Sequence, residues 1–204
     1  MVDATYQPLV YRKQGGNELV VASGGVITVE TGGSIIANGV EVANGQTATI
    51  AEIARVADVS SRIVVITETG AITEALHEGK TCLLREAGGN ALVTLTLPAA
   101  TGGGGRYRFV VDEVNTSSYV IKSVAGADIM TGCIIGNDGG GVTTTLRWQA
   151  AATDDTFTLN GTTMGGVTRG DWVEFEDIAA DRWAVRGVVS QSGNEATPFS
   201  DTVA

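Results

Sequence analysis

His77 is the sole histidine of the chain, so most constellations built on an imidazole base or metal ligand lack their first member. It stands in Glu74-Ala75-Leu76-His77-Glu78-Gly79-Lys80, a polar stretch that reads as a solvated turn. Glu174 and Glu176 would share one face of a strand and could mimic the carboxylate pair of a glycosidase. The same spacing describes an ordinary solvated strand face. Gly102-Gly103-Gly104-Gly105 suggests a phosphate-cradling loop, but such a loop must open a helix and carry a Lys-Ser/Thr pair. Arg106-Tyr107-Arg108-Phe109-Val110-Val111 follows instead, which is a strand pattern. Asn137-Asp138-Gly139 and Asp154-Asp155 offer oxygens to calcium without the repeated acidic spacing of a calcium loop. Turns use the same residues for backbone reasons. Cys82 and Cys133 form no CxxC and have no histidine at metal-ligand spacing; both sit in apolar stretches and read as reduced core thiols. Trp148, Trp172 and Trp183 lie in three late strand patterns and fit core anchors, with a sugar-binding surface as the other reading. Arg169-Gly170-Asp171 matches an integrin-type tripeptide but sits at a turn before an apolar strand. No catalytic, cofactor or metal site is legible, and a non-enzymatic role is the expectation.

The composition narrows the classes further. The chain has 204 residues, 43% of them hydrophobic and 18% charged, enough for one ordinary core and unlike a disordered acidic tail. Its net charge of −10 makes it a poor partner for nucleic acid. No apolar run approaches the ~18–20 residues of a membrane span, and the N-terminus lacks a signal-peptide pattern. Glycine supplies 28 residues and proline only 3, which with many Val, Ile and Thr points to short strands and tight turns.

The elements that must carry any site fall into three stretches. Residues 1–48 open with an arm bearing Tyr6, Leu9, Val10 and Tyr11, then Arg12 and Lys13; the arm is mildly basic at +1, against −8 for residues 63–204. It reads either as a docking arm or as an ordinary first strand. Short strands follow at Glu18–Ala22, Val26–Glu30, Ser34–Ala37 and Val40–Val42, separated by glycine clusters. They resemble rungs of a β-solenoid or of a stem wound from several chains; a plain meander of two hairpins is the alternative. Residues 49–62 hold a connector helix, with Ile50, Ile53, Ala54 and Ala57 at helical spacing. Residues 63–204 carry roughly ten strand patterns at ~8–12-residue spacing and no βαβ alternation, which predicts an antiparallel β-sandwich or barrel. Within it, Ala87-Gly88-Gly89-Asn90 reads as a hairpin joining Thr81–Glu86 to Ala91–Leu97. The expected class is mainly β.

Several stretches together carry a resemblance. They are Leu97-Pro98-Ala99-Ala100-Thr101-Gly102 with Arg106-Tyr107-Arg108-Phe109-Val110-Val111, and Asn115-Thr116-Ser117-Ser118-Tyr119-Val120-Ile121-Lys122. Asp155-Thr156-Phe157-Thr158-Leu159-Asn160-Gly161-Thr162-Thr163-Met164-Gly165-Gly166, Gly170-Asp171-Trp172-Val173-Glu174, Trp183-Ala184-Val185-Arg186-Gly187 and Ala196-Thr197-Pro198-Phe199-Ser200 belong with them. Over residues 63–204 the chain resembles a β-rich module of structural proteins of tailed bacteriophages, described as head decoration or head-fibre proteins. The start, Leu9-Val10-Tyr11-Arg12-Lys13-Gln14-Gly15-Gly16, is similar to the start of such proteins. The Gly102–Gly105 run is looser than the family turn.

The resemblance implies a capsid decoration (cement) protein on the outer surface of the virion, made in the bacterial cytoplasm and trimeric. Leu9, Val10, Tyr11, Arg12 and Lys13 would contact the major capsid protein; Val26, Val29, Ile35, Val40, Ile50 and Ile53 would contact sister subunits. The alternative is a head-fibre or tail-appendage adhesin for a host-surface glycan or receptor, with Trp148, Trp172 and the glycine-rich loops as its binding face.

Overall fold

The computed structural model describes residues 10–12, 15, 19–28, 35–37, 40–43, 62–138 and 145–203. The chain divides into two compact units, residues 1–54 and 55–204.

In the first unit β1 (Val10–Arg12) pairs antiparallel with β2 (Leu19–Val21), Tyr11 opposite Val20. β3 (Ile35–Ala37) pairs antiparallel with β4 (Val40–Ala43), with a register shift between Ile35 and Ile36. Each pair is a separate two-stranded sheet, and β2 pairs with β1 of the arm. The strand expected at Val26–Glu30 is absent over its described part, 26–28, where Val26 and Ile27 are exposed. The expected connector helix over 49–62 lies outside the described residues except for residue 62.

The second unit is mainly β and contains two mixed sheets. A five-stranded sheet has the order β16-β13-β10-β8-β6, and a seven-stranded sheet the order β12-β11-β15-β14-β9-β7-β5. The strands are β5 (Ile63–Ile66), β6 (Gly70–Ala71), β7 (Thr81–Leu84), β8 (Val93–Thr96), β9 (Arg106–Val111) and β10 (Tyr119–Lys122). There follow β11 (Ile129–Asp138), β12 (Thr145–Gln149), β13 (Thr156–Leu159), β14 (Trp172–Ala179), β15 (Arg182–Gln191) and β16 (Phe199–Ser200). One short helix, α1 (Glu74–His77), lies between β6 and β7.

The expected antiparallel arrangement is corrected here. β5 pairs parallel with β7, β7 with β9, β6 with β8, β8 with β10 and β11 with β15. From β5 to β10 successive strands alternate between the two sheets. The chain crosses to the opposite sheet and returns, so next-but-one strands become parallel neighbours. A parallel pair needs a crossover, and here a strand of the other sheet supplies it in place of a helix. The missing βαβ pattern therefore did not exclude parallel pairing. The hairpin expected at Ala87–Asn90 is also corrected: β7 and β8 belong to different sheets. Glu86 holds the turn, its carboxylate accepting from the Asn90 N–H at 2.7 Å and its N–H donating to the Tyr119 hydroxyl at 2.9 Å.

The inward faces of both sheets meet in one core. Leu95, Ile121, Phe157 and Phe199 come from the five-stranded sheet, and Leu84, Phe109, Phe175 and Val185 from the seven-stranded one. Edge-to-face aromatic contacts link Phe109 to Phe175 (5.9 Å), Phe175 to Phe157 (6.0 Å) and Phe157 to Phe199 (5.3 Å). This chain of rings crosses from one sheet to the other. Burying each ring fully contributes about 1.5–3 kcal/mol relative to exposure.

Candidate functional site

The residues singled out for chemistry hold the fold together. The Gly102–Gly105 loop is an anion cradle whose anion is Asp177. The Asp177 carboxylate accepts from the N–H groups of Thr101 (3.0 Å), Gly102 (2.7 Å) and Gly103 (3.0 Å) and from the Thr101 hydroxyl (3.0 Å). Gly102 has φ +83, a left-handed conformation that suits glycine. Burial opposes ionisation of Asp177, but the donors together outweigh it and hold its carboxyl below the ordinary range.

Asp171 of the Arg169-Gly170-Asp171 turn is buried, and its carboxylate accepts from Gly166 N–H, Ser190 N–H and the Ser190 hydroxyl. Burial pushes it upward in spite of these donors. Asp155 accepts from the Thr202 and Val203 N–H groups and so ties residues 202 and 203 to the start of β13. Asp154 accepts from Ala151 N–H within its own turn. Among the described residues no group of three or more His, Cys, Asp or Glu could hold a metal ion. His77 is buried rather than solvated, and its Nδ1 accepts from the Thr73 N–H at 3.0 Å. Burial lowers its pKa.

The two cysteines part company. Cys82 is in the core, and burial pushes its thiol up to about 12. Cys133 is half-buried on the opposite face of the seven-stranded sheet, so it is not a core thiol. The tryptophans also separate. Trp183 is buried, edge-on to Tyr107 at 5.7 Å. Trp148 packs inward, and its Nε1 donates to Gln191 Oε1 at 2.7 Å. Gly136 leaves room for that bond, since a methyl there would run into the Gln191 amide. Trp172 points outward, with the Arg108 guanidinium 4.7 Å from its ring centre. Trp148 and Trp172 stand on opposite faces of one sheet and cannot share a binding surface.

A cleft of about 130 Å³ lies beside the glycine loop, lined by Glu74, Glu78, Thr101, Tyr107 and Trp183 among others. A larger surface is the outer face of the seven-stranded sheet. Register places Val65 beside Leu83, Leu83 beside Val110, Val110 beside Trp172, Trp172 beside Val188 and Val188 beside Ile135. Arg147 ends the row. Six strands thus contribute an unbroken apolar row on the side away from the core. Val65 and Ile135 are 45% exposed and Val188 42%.

Charged residues border the row. Arg106 donates to Glu176 (2.8 Å), and Arg186 bonds Glu174 (3.2 Å) and Glu176. The Arg106 hydrogen bond, with Arg186 adding, holds the Glu176 carboxyl below its ordinary range against some desolvation. Glu174 and Glu176 do share a strand face, as expected, but as members of this ion-paired ladder. Arg108, Arg147 and Arg182 are exposed on the same face.

Of the proposed capsid contacts, Val10, Tyr11 and Arg12 form β1, whereas Leu9 and Lys13 lie outside the described residues. Of the proposed trimer contacts, Ile35 and Val40 lie in β3 and β4 and Val26 is exposed; Val29, Ile50 and Ile53 lie outside the described residues. The outer apolar row was missed from sequence. Its signal was present as doublets: Val65-Ile66, Leu83-Leu84, Val110-Val111, Ile134-Ile135, Trp172-Val173 and Val188-Val189. In each doublet one side chain faces the core and the other faces out. Comparison of the chain with protein-family models, with curated proteins and with solved structures found no match in any of the three.

Proposed function

We propose that the chain is a non-enzymatic decoration protein of a tailed-bacteriophage head. It binds the outside of the assembled capsid as a trimer and bridges major capsid protein subunits. The second unit, read as a two-sheet β-sandwich, projects outward, and the first unit makes the capsid contact. The observation that supports this division of labour is β1. It is half of a two-stranded sheet, so among the described residues its other edge has no strand beside it. Such an edge can take a further strand from a partner, gaining main-chain hydrogen bonds. Val10, Tyr11 and Arg12 would carry that contact, with Leu9 and Lys13 flanking it. Three linked copies add avidity at a threefold position, and binding only the assembled shell stabilises it by mass action.

The adhesin alternative keeps Trp172 on an outer face, but Trp148 packs inward and the Gly102–Gly105 loop is engaged with Asp177. Deleting residues 1–14 is expected to abolish binding to heads while leaving the far-UV spectrum and melting of the second unit intact. Unaltered head binding would contradict the role given to β1.

A further inference from the structure

The outer face of the seven-stranded sheet is apolar along its middle and basic around it, in a chain that is acidic elsewhere. At the outward-facing positions of its strands five arginines (Arg106, Arg108, Arg147, Arg182 and Arg186) oppose two glutamates (Glu174 and Glu176), a net of +3; Asp177 of β14 turns inward to the glycine loop. The whole chain carries −10, so what lies outside this face carries −13. Both glutamates are engaged with Arg106 and Arg186. The surplus therefore rests on Arg108, Arg147 and Arg182, none of which forms an ion pair among the described residues. Seven strands at ~4.8 Å spacing make a face about 30 Å wide, and the ~800 Å² each partner gives to a standard interface fits within it.

We infer that this face receives a second copy of the chain, which docks its acidic segment from Glu68 to Glu78 against the row of Val65, Leu83, Val110, Trp172, Val188 and Ile135. The segment carries Glu68, Glu74 and Glu78 with no lysine or arginine. It also presents Leu76, 60% exposed, as an apolar anchor. It contains β6, the edge strand of the five-stranded sheet, and α1. A face with surplus positive charge repels its own twofold image, so the contact is head-to-tail. Head-to-tail contacts build a ring when the rotation closes. The inference rests on the decoration reading only for the number three; the face and its acidic counterpart stand without it.

The test is the mass of the full chain by sedimentation velocity, at low and high salt. The wild type is expected to run as a trimer that weakens as salt rises, because exposed charge pairs are screened. Val188→Asp and Ile135→Asp are each expected to shift the mass to that of a monomer. Their melting should stay near wild type, since both side chains are partly in solvent already. Glu68→Lys with Glu74→Lys should dissociate the trimer without touching the sheet, and adding Arg147→Glu with Arg182→Glu should restore it. A monomeric wild type overturns the inference, as does a trimer that survives both aspartate variants and the paired lysine variant. Association would in that case belong to residues 1–54 or to another partner of the basic face. Head binding is read separately: self-association through this face without head binding would sink the decoration reading alone. Head binding by a chain whose mass ignores these variants would sink this inference alone.

Discussion

At Asp177 a loop with the composition of an anion cradle has found its anion within the same chain. The sequence marks Gly102–Gly105 as able to present converging N–H groups, and the structure has Thr101, Gly102 and Gly103 doing so. The carboxylate they hold is 75 residues distant from Gly102 along the chain, a pairing no local pattern reveals. Asp177→Asn puts an amide group among donors and is expected to destabilise the second unit by about 1–3 kcal/mol. Because the folded carboxyl of Asp177 ionises below the ordinary range, its contribution is complete above the unfolded value of ~3.9 and is lost as pH falls through the lower folded value. Asp171 and Asp128, whose pKa values burial raises, contribute with the opposite sign. The informative quantity is thus the difference between wild type and variant. Urea unfolding across acid pH should show the wild type losing its advantage over Asp177→Asn toward low pH; a constant difference would contradict the assignment. Asp171 differs: its partners Gly166 and Ser190 are near in sequence, but the tripeptide Arg169-Gly170-Asp171 at a turn does not show that the carboxylate folds inward.

At the scale of elements, strand positions were legible and strand partners were not. Gly, Asn and Asp bound the apolar runs, so β7, β9, β10 and β13 fall where the pattern places them. A run such as Val110-Val111 is apolar on both sides, however, and does not say which sheet it joins or which residue faces in. The turn at Ala87–Asn90 has hairpin composition, yet Glu86 and Tyr119 lead the chain across to the other sheet. From β5 to β10 alternation between the sheets yields parallel neighbours, which no local pattern announces. The joint between the sheets is aromatic. Phe175 touches both Phe109 of its own sheet and Phe157 of the other. Phe175→Ala is expected to cost about 3–5 kcal/mol, read as a drop in the urea midpoint. A loss below about 1 kcal/mol would mean that the two sheets do not depend on this contact.

At the scale of the molecule, the proposed assembly rests on charge and exposed apolar surface. A net charge of −10 keeps separate copies apart at long range, while one sheet face gathers arginines around an apolar row. The doublets that build that face are legible in the sequence, but its residues come from seven strands whose neighbours only the topology defines. The candidate capsid contact, β1, was visible as a mixed aliphatic, aromatic and basic arm, and the structure adds its open edge. The most direct test of the decoration reading is to count and locate the protein on intact virions, by labelled-antibody imaging with quantitative gel densitometry. The account predicts hundreds of copies spread over the head lattice. A few copies confined to one vertex or to the tail, or none on the virion, would contradict it.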